Sequence, residues 1–386
     1  MEANKIEEIK EDQVAVMLKN IPVLDDLFTI HSKIGEGSFS TVFLGFRKNQ
    51  NGRDRKKYAI KYLVPICHPS RIERELQCLK DIGGQDNVAG LELCLRSGGY
   101  VAFIMPFIGH NEFSEYVHKM ETDELREYMR ALLTALSRVH SFKIIHRDIK
   151  PSNFLYNRIK KKYLLVDFGL AQKYVPSQPS TQNPAKTPVP NNVPAAKKRK
   201  VDENKMDTTL KSTNIVSVEK CYCFGKPKVC SLCLIRPSQT APRAGTPGYR
   251  PPEVLLKYPA QTPAIDIWAS GIIMLCMLSE THPFFRAPDD TTALAEIVSI
   301  FGSTAMQHCA KRLGKKLMFG SDIPEINLAT LCLKLQERNR AKQPPVERVY
   351  KSYPDEAYEL LGRLLDINFK TRITAEEALL HPFLNP

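Results

Sequence analysis

A chain of 386 residues, 43% hydrophobic and 25% charged, has ordinary globular composition and is long enough for one large two-lobed domain or two or three small ones. Its formal charge of +13 suggests acidic partners, but 12 Lys+Arg against 4 Asp+Glu fall between Lys173 and Thr240, so charge alone does not support a nucleic-acid-binding main domain. The opening MEANKIEEIKEDQVAVMLKN lacks the apolar core of a signal peptide, and Glu2 excludes an N-myristoyl glycine. The longest apolar stretch, near Ile272–Leu278, is far short of the roughly 20 residues of a membrane span, so a soluble intracellular protein with reduced cysteines is expected.

No internal repeat is apparent. Residues 1–27 read as an N-terminal extension, with a short helix expected over Glu7–Asn20. From Phe28 the pattern is that of strands: FTIHSKIGEGSFSTVFLGFRK flanks a glycine turn, Asn51-Gly52 marks a hairpin, and KYAIKYLVP reads as a further strand. RIERELQCLKDIGG predicts a helix ended by Gly83-Gly84, and LELCLRSGGYVAFIMPF two strands around Gly98-Gly99. The next part is helical. Leu125, Tyr128, Met129, Leu132, Leu133, Leu136 and Val139 recur at helical spacing, behind Thr122 as an expected N-cap. DIWASGIIMLCMLS is apolar on all faces, as a helix buried inside a helical lobe must be. Thr374 and Glu377 have capping-box spacing. Strands first and helices after predict an α+β fold. Two irregular stretches interrupt it, Lys173–Thr240 and about Arg338–Tyr353.

Phosphoryl transfer needs a phosphate cradle, a cation on the phosphates, a carboxylate to orient the attacking hydroxyl, and metal ligands. Each has a candidate. Gly35 and Gly37 of GEGSFSTV let backbone approach phosphates between two strands, although a glycine-rich hairpin is the plainer reading of that run alone. Lys61 of YAIK is a strand lysine among apolar residues, where a snorkelling surface lysine is the alternative. Glu75, on the following helix and directly before Leu76, is preferred to Glu73 as its partner. In HRDIKPSNFL, Asp148 would orient the substrate hydroxyl and Lys150 neutralise the transferring phosphoryl group. Asn153 and Asp167, the latter after the apolar strand in LLVDFGLA, would hold Mg²⁺. Both motifs in order, with a glycine loop and a strand lysine upstream, make chance an untenable explanation.

These runs resemble a eukaryotic protein kinase from Phe28 to Phe383. The resemblance implies a two-lobed fold: a small antiparallel-sheet N-lobe at about 28–106 with one main helix, and a larger helical C-lobe at about 107–386. It includes GTPGYRPPE, DIWASG with Asp266 as a brace of the catalytic loop, and Arg372 as the partner of Glu253. It implies that ATP lies against Ile34, Gly35, Gly37, Ser40, Val42, Ala59, Lys61, Met105 and Phe107, with Met105 as gatekeeper. Ser40 stands where the kinase pattern has its third glycine.

ELQCLKDIGGQDNV, HRDIKPSNFLYN, CSLCL, APRAGTPGYRPPEVL and PDEAYELL together resemble the cell-division-cycle-7 kinase family. That implies a Ser/Thr kinase with an insert in its activation segment. It implies activation by a regulatory subunit, and phosphorylation of the minichromosome-maintenance helicase at acidic sites to initiate DNA replication. Another Ser/Thr kinase of casein-kinase-1 type, and a pseudokinase scaffold, are the alternatives. The insert and the intact Lys61, Asp148, Asn153 and Asp167 argue against them.

Composition predicts that the insert at about 173–240, with eight prolines, is largely an unfolded tether. Lys197, Lys198, Arg199 and Lys200 form a compact basic run suited to a nuclear import receptor, hence a nuclear location. Cys221, Cys223, Cys230 and Cys233 form a cluster at 221–233 that can close a structural zinc site, although the C-x-C half is tighter than usual. Thr246 is a candidate phosphosite, or a threonine that hydrogen-bonds the catalytic loop.

Overall fold

The computed structural model describes residues 13–37, 40–48, 56–64, 69–175, 245–342 and 352–386. They belong to one compact unit, built from the chain up to Val175 and from Ala241 onward. The expected Asn51-Gly52 turn, the basic run 197–200, the four cysteines at 221–233 and residues 343–351 lie outside the described residues.

A helix over residues 13–20 (α1) and a short one at Val23–Leu27 (α2) lead into β1 at Phe28–Gly37. The sheet is completed by β2 (Ser40–Arg47), β3 (Lys57–Leu63), β4 (Leu93–Ser97) and β5 (Tyr100–Pro106), in the order β1-β2-β3-β5-β4 with antiparallel neighbours. One face of this sheet closes over Phe43, Ile60, Ala102 and Ile104, together with Met17, Ile21 and Leu24 of the two leading helices. The N-terminal extension is thus partly built into the small lobe, because α1 and α2 supply the apolar cover that this face needs. Helix α3 (Pro69–Asp81) carries Glu75, Cys78 and Leu79 on its buried side.

The larger lobe begins with α4 (Phe113–Tyr116) and α5 (Thr122–Ser141). All seven apolar positions read from the sequence of α5 are buried. Thr122 is its first helical residue rather than its cap. Glu121 occupies the cap position without a side-chain bond, and Asp123 and Glu124 favour the positive end of the helix instead. Two small ladders follow: β6 (Ile144–Ile145) with β9 (Gln172–Lys173), and β7 (Phe154–Asn157) with β8 (Lys162–Leu165). Lys173 therefore belongs to the ordered ladder and not to the insert.

After the insert come α6 (Pro252–Leu255) and α7 (Ala264–Leu278), the latter buried from Ile265 to Leu278. The lobe is completed by α8 (Asp290–Phe301), α9 (Ser303–Arg312), α10 (Leu328–Ala341), α11 (Asp355–Leu364) and α12 (Ala375–Leu379). Thr374 and Glu377 form the reciprocal capping box that opens α12.

Helix α10 corrects the reading of Arg338–Tyr353 as irregular, since it continues to Ala341. Its polar residues have work inside the lobe. Gln336, fully buried, donates to Leu278 O at 2.5 Å, and Asn339 donates to Glu280 O at 2.8 Å. These amides satisfy carbonyls left open where α7 ends.

Candidate active site

The register of the sheet places the nucleotide candidates on one face. Gly35 pairs with Val42, Val42 with Lys61, and Lys61 with Phe103; two residues along, Leu44 pairs with Ala59 and Ala59 with Met105. Directly opposed strand residues share a face and alternate residues return to it. Gly35, Val42, Ala59, Lys61 and Met105 are therefore on one side. Gly37 and Ser40 close the β1–β2 register, Ile34 is partly exposed beside them, and Phe107 follows β5 with its amide on Lys57 O at 3.2 Å.

Lys61 is 7% exposed, and its Nζ lies 2.5 Å from Glu75 Oε1 and 2.8 Å from Asp167 Oδ1. Burial opposes its charge, but the two carboxylates outweigh burial and hold its pKa above the ordinary lysine value. Burial also pushes Asp167 up. The Lys61 ammonium wins there too, aided by the Gly169 amide, and holds that carboxyl at about 2. Glu73 makes no such contact: α3 turns Glu75 inward, with 4% exposure.

The second half of the site is a loop between β6 and β7. Asp148 is its hub. Oδ1 accepts from the Thr246 amide at 3.0 Å and the Thr246 hydroxyl at 2.7 Å. Oδ2 accepts from Asn153 Nδ2 at 2.9 Å, with Lys150 Nζ at 3.0 Å. Lys150 also donates to Thr246 Oγ1 at 2.9 Å. A carboxylate with four donors around it is fixed in orientation, as a group that must receive or steer a hydroxyl proton requires.

The loop is pinned from below. Asp266, at the start of α7 and 1% exposed, accepts from the His146 and Arg147 amides at 2.8 Å each and contacts His140 Nε2 at 2.9 Å. His146 faces Val166 O through Nε2 at 3.1 Å and receives the Asp148 amide on Nδ1 at 3.3 Å, so the proton sits on Nε2. Arg147 and Asp167 both lie in the left-handed region, with φ of 70° and 68°. Such backbone persists only where its surroundings fix it.

The far end of the activation segment returns at Gly245. Its φ is +104°, and a Cβ there would stand 2.7 Å from Arg147 O. Only glycine allows this approach. Arg250 holds the Gly245 carbonyl and pairs with Asp290 at 2.8 Å. Below, Arg372 and Glu253 form a fully buried pair with Nη1–Oε1 at 2.7 Å and Nη2–Oε2 at 3.1 Å, the guanidinium lying 5.1 Å from the Trp268 ring centre.

Two residues were not singled out by motif. Arg71 donates to Gly169 O through Nε and Nη2 at 3.2 and 3.0 Å, and Arg74 donates to Ala171 O at 3.2 Å. Their only local signal is a position before Glu75 on the same helix. Thr246 occupies the plainer of its two readings, as a hydroxyl bonded to the catalytic loop.

The residues fit ATP and magnesium. Asn153 uses its amide nitrogen on Asp148, which leaves its oxygen as the atom for a hard cation. The described hydrogen bonds of Asp167 fall on Oδ1. ATP would supply the phosphoryl group; Lys61 would offer it a cation, Asn153 and Asp167 two oxygen ligands for the metal, and Asp148 an oriented carboxylate. Among the described residues no three His, Cys, Asp or Glu gather as a metal cluster, and no helix is long and apolar enough to cross a membrane.

The protein kinase domain model matches residues 28–190 and 209–384. The chain is 34% identical to the "non-specific serine/threonine protein kinase Cdc7" of Drosophila melanogaster, covering 98% of this chain and 77% of the relative. It is 34% identical to the "Cell division cycle 7-related protein kinase" of Homo sapiens, covering 98% of this chain and 93% of the relative. A "Probable cell division control protein 7 homolog 2" of Encephalitozoon cuniculi is 33% identical, with 95% of each chain covered. The human match extends over 535 residues and the Encephalitozoon cuniculi one over 377, so the longer relative carries larger inserts than this chain. The chain belongs to the protein kinase family, and within it to the Cdc7-like serine/threonine kinases.

Proposed function

We propose that this kinase phosphorylates Ser and Thr in acidic contexts on the minichromosome-maintenance helicase, in the nucleus, under a regulatory subunit, and so initiates DNA replication. The observation that carries the proposal is similarity to Cdc7-named kinases over almost the whole chain rather than over the shared catalytic motifs alone. In this reading Asp148 orients the substrate hydroxyl and Lys150 bears on the transferring phosphoryl group. Lys61, held by Glu75, grips the ATP phosphates, and Asn153 and Asp167 carry Mg²⁺.

The Lys61–Glu75 pair and the Asp148 network are already formed within the single chain. The regulatory subunit would therefore act by holding this arrangement, not by supplying a missing catalytic group. The assay is phosphate transfer to an acidic Ser/Thr peptide from the helicase, with and without the subunit, with Asp148→Asn as the control. Activity that needs the subunit and vanishes in Asp148→Asn is expected. Equal activity without the subunit removes the partner-gated part of the proposal, and retained activity in Asp148→Asn removes the role of Asp148.

The basic run Lys197–Lys200 would carry nuclear import, tested by the location of a Lys198→Ala/Arg199→Ala/Lys200→Ala chain. Normal nuclear accumulation of that chain refutes it. Cys221, Cys223, Cys230 and Cys233 would hold zinc. Metal analysis of the purified protein tests this: absence of zinc, with Cys230→Ser fully stable, removes the site.

A further inference from the structure

Helix α11 has one face committed to the core and one that is not. Ala357, Leu360, Leu361 and Leu364 are buried. Asp355, Tyr358, Glu359, Gly362 and Arg363, at the complementary helical spacing, line a groove of about 1210 Å³ on the base of the large lobe. Its other walls come from the end of α8, Ala305 of α9, the start of α10, residues 365–373 and the region of α12, and none of the catalytic candidates lines it. The volume exceeds the roughly 300–1,000 Å³ usual for small-molecule sites, which favours a peptide segment.

Three features describe what would fit. The first is apolar surface: Leu380 is 79% exposed and Ile326 39% exposed on the groove. The second is charge. Glu325, Asp355, Glu359, Asp366 and Glu377 line the groove against Arg363 and His381, which lie 2.8 and 3.8 Å from Glu359. An acidic lining on a chain of formal charge +13 selects basic occupants by electrostatic complementarity. The third is Gly362. Glycine is the poorest helix-interior residue after proline, yet a Cβ built at Gly362 meets nothing within 4 Å. No contact among the described residues requires a glycine there, whereas an occupant lying close along the helix would.

We propose that this groove docks a basic amphipathic segment of a partner protein, with leucine-type side chains against Ile326 and Leu380 and Lys/Arg against the carboxylates. Recognition of this kind is an apolar stripe laid into a groove, with charge setting register and specificity. The site thus recruits through basic sequence, independently of whatever sequence the catalytic centre modifies.

The test is fluorescence anisotropy on the full chain. The probe is a labelled amphipathic peptide with Lys and Arg on one face and Leu on the other, compared with a twin carrying Glu in place of Lys and Arg. The basic probe should bind, and weaken by about tenfold or more when salt rises from about 50 mM to about 500 mM; the acidic twin should not bind. Gly362→Phe, whose Cβ enters open space, and Glu325→Lys/Glu359→Lys should each weaken the probe by about tenfold, with no loss of melting temperature and with phosphotransfer to a short free peptide unchanged. Equal binding of the two probes overturns the proposal, as does full binding by a folded Gly362→Phe chain. A dimer that Gly362→Phe dissolves assigns the groove to a second copy of the chain and overturns it equally. Should Gly362→Phe not fold, the charge-reversed variant decides alone.

Discussion

Asp266→Asn isolates the role of the brace beneath the catalytic loop. The wild-type carboxylate, 1% exposed, accepts two backbone amides at 2.8 Å and contacts His140 at 2.9 Å. An asparagine can offer its oxygen to one amide, while its own N–H₂ group faces the other. The change replaces two bonds to a charged acceptor by one to a neutral acceptor, and leaves a buried donor unmet. Exchanging a charged for a neutral acceptor at one amide costs about 1 kcal/mol and leaving the other amide unmet about 1–3 kcal/mol, so about 2–4 kcal/mol of loop anchoring is lost. Arg147, at φ 70°, sits next to one of these bonds and Asp148 one residue further on. Release of the strained backbone would displace the base. A displacement on the order of 1 Å costs about 100-fold in rate. Steady-state kinetics should show kcat down by about that factor with KM for ATP within about twofold, because Lys61 and Glu75 make no contact with the brace. The melting temperature should also fall. A wild-type kcat in Asp266→Asn refutes the argument, and a rise in KM for ATP with kcat intact would show that the brace serves the nucleotide instead.

Further outcomes follow from the other pairs. Lys61→Met removes the cation that holds Asp167 down. The carboxyl should then titrate well above its present value of about 2, by NMR, and phosphotransfer should fall by at least about 100-fold. Because the folded Asp167 pKa is depressed, whatever stability the wild-type pair contributes is present above the ordinary value of 3.8. It is lost as pH falls toward about 2, and an acid-unfolding curve of Lys61→Met should lack that component. Arg372→Ala leaves Glu253 buried without its partner and should destabilise the large lobe by about 3–5 kcal/mol in denaturant unfolding. A loss under about 1 kcal/mol would show that the site relaxes or admits water. Thr246→Val keeps the amide bond to Asp148 but removes the hydroxyl shared with Lys150, and kcat should drop by about tenfold while Thr246→Ser restores it. Indifference to both substitutions would free Thr246 from the catalytic network.

The catalytic candidates were legible because phosphoryl transfer needs particular side chains in short runs. A carboxylate, a lysine and an amide within one loop, and a second carboxylate after an apolar strand, can be read without any fold. Strand alternation and the 3.6-residue period gave β1 to β5, α5 and α7, since each buries one surface or all of it. The same reasoning missed α10. Its Gln336 and Asn339 look like surface residues until the end of α7 lies against them and its carbonyls need donors.

What the sequence by itself determined about this protein is the candidate chemistry and the α+β class, which are properties of residue type and local spacing, and the family resemblance, which implied the two lobes. The resemblance already implies Asp266 as a brace of the catalytic loop and leaves Thr246 one of two roles; the tertiary structure decided which atoms meet. Thr246 lies against Asp148 across 98 positions of sequence, and Arg71 and Arg74 of a small-lobe helix hold the carbonyls of Gly169 and Ala171. Asp266 reaches back 120 positions to the His146 amide. Those bonds join backbone groups and side chains that carry no local pattern, because the need that each one satisfies exists only after the chain has packed.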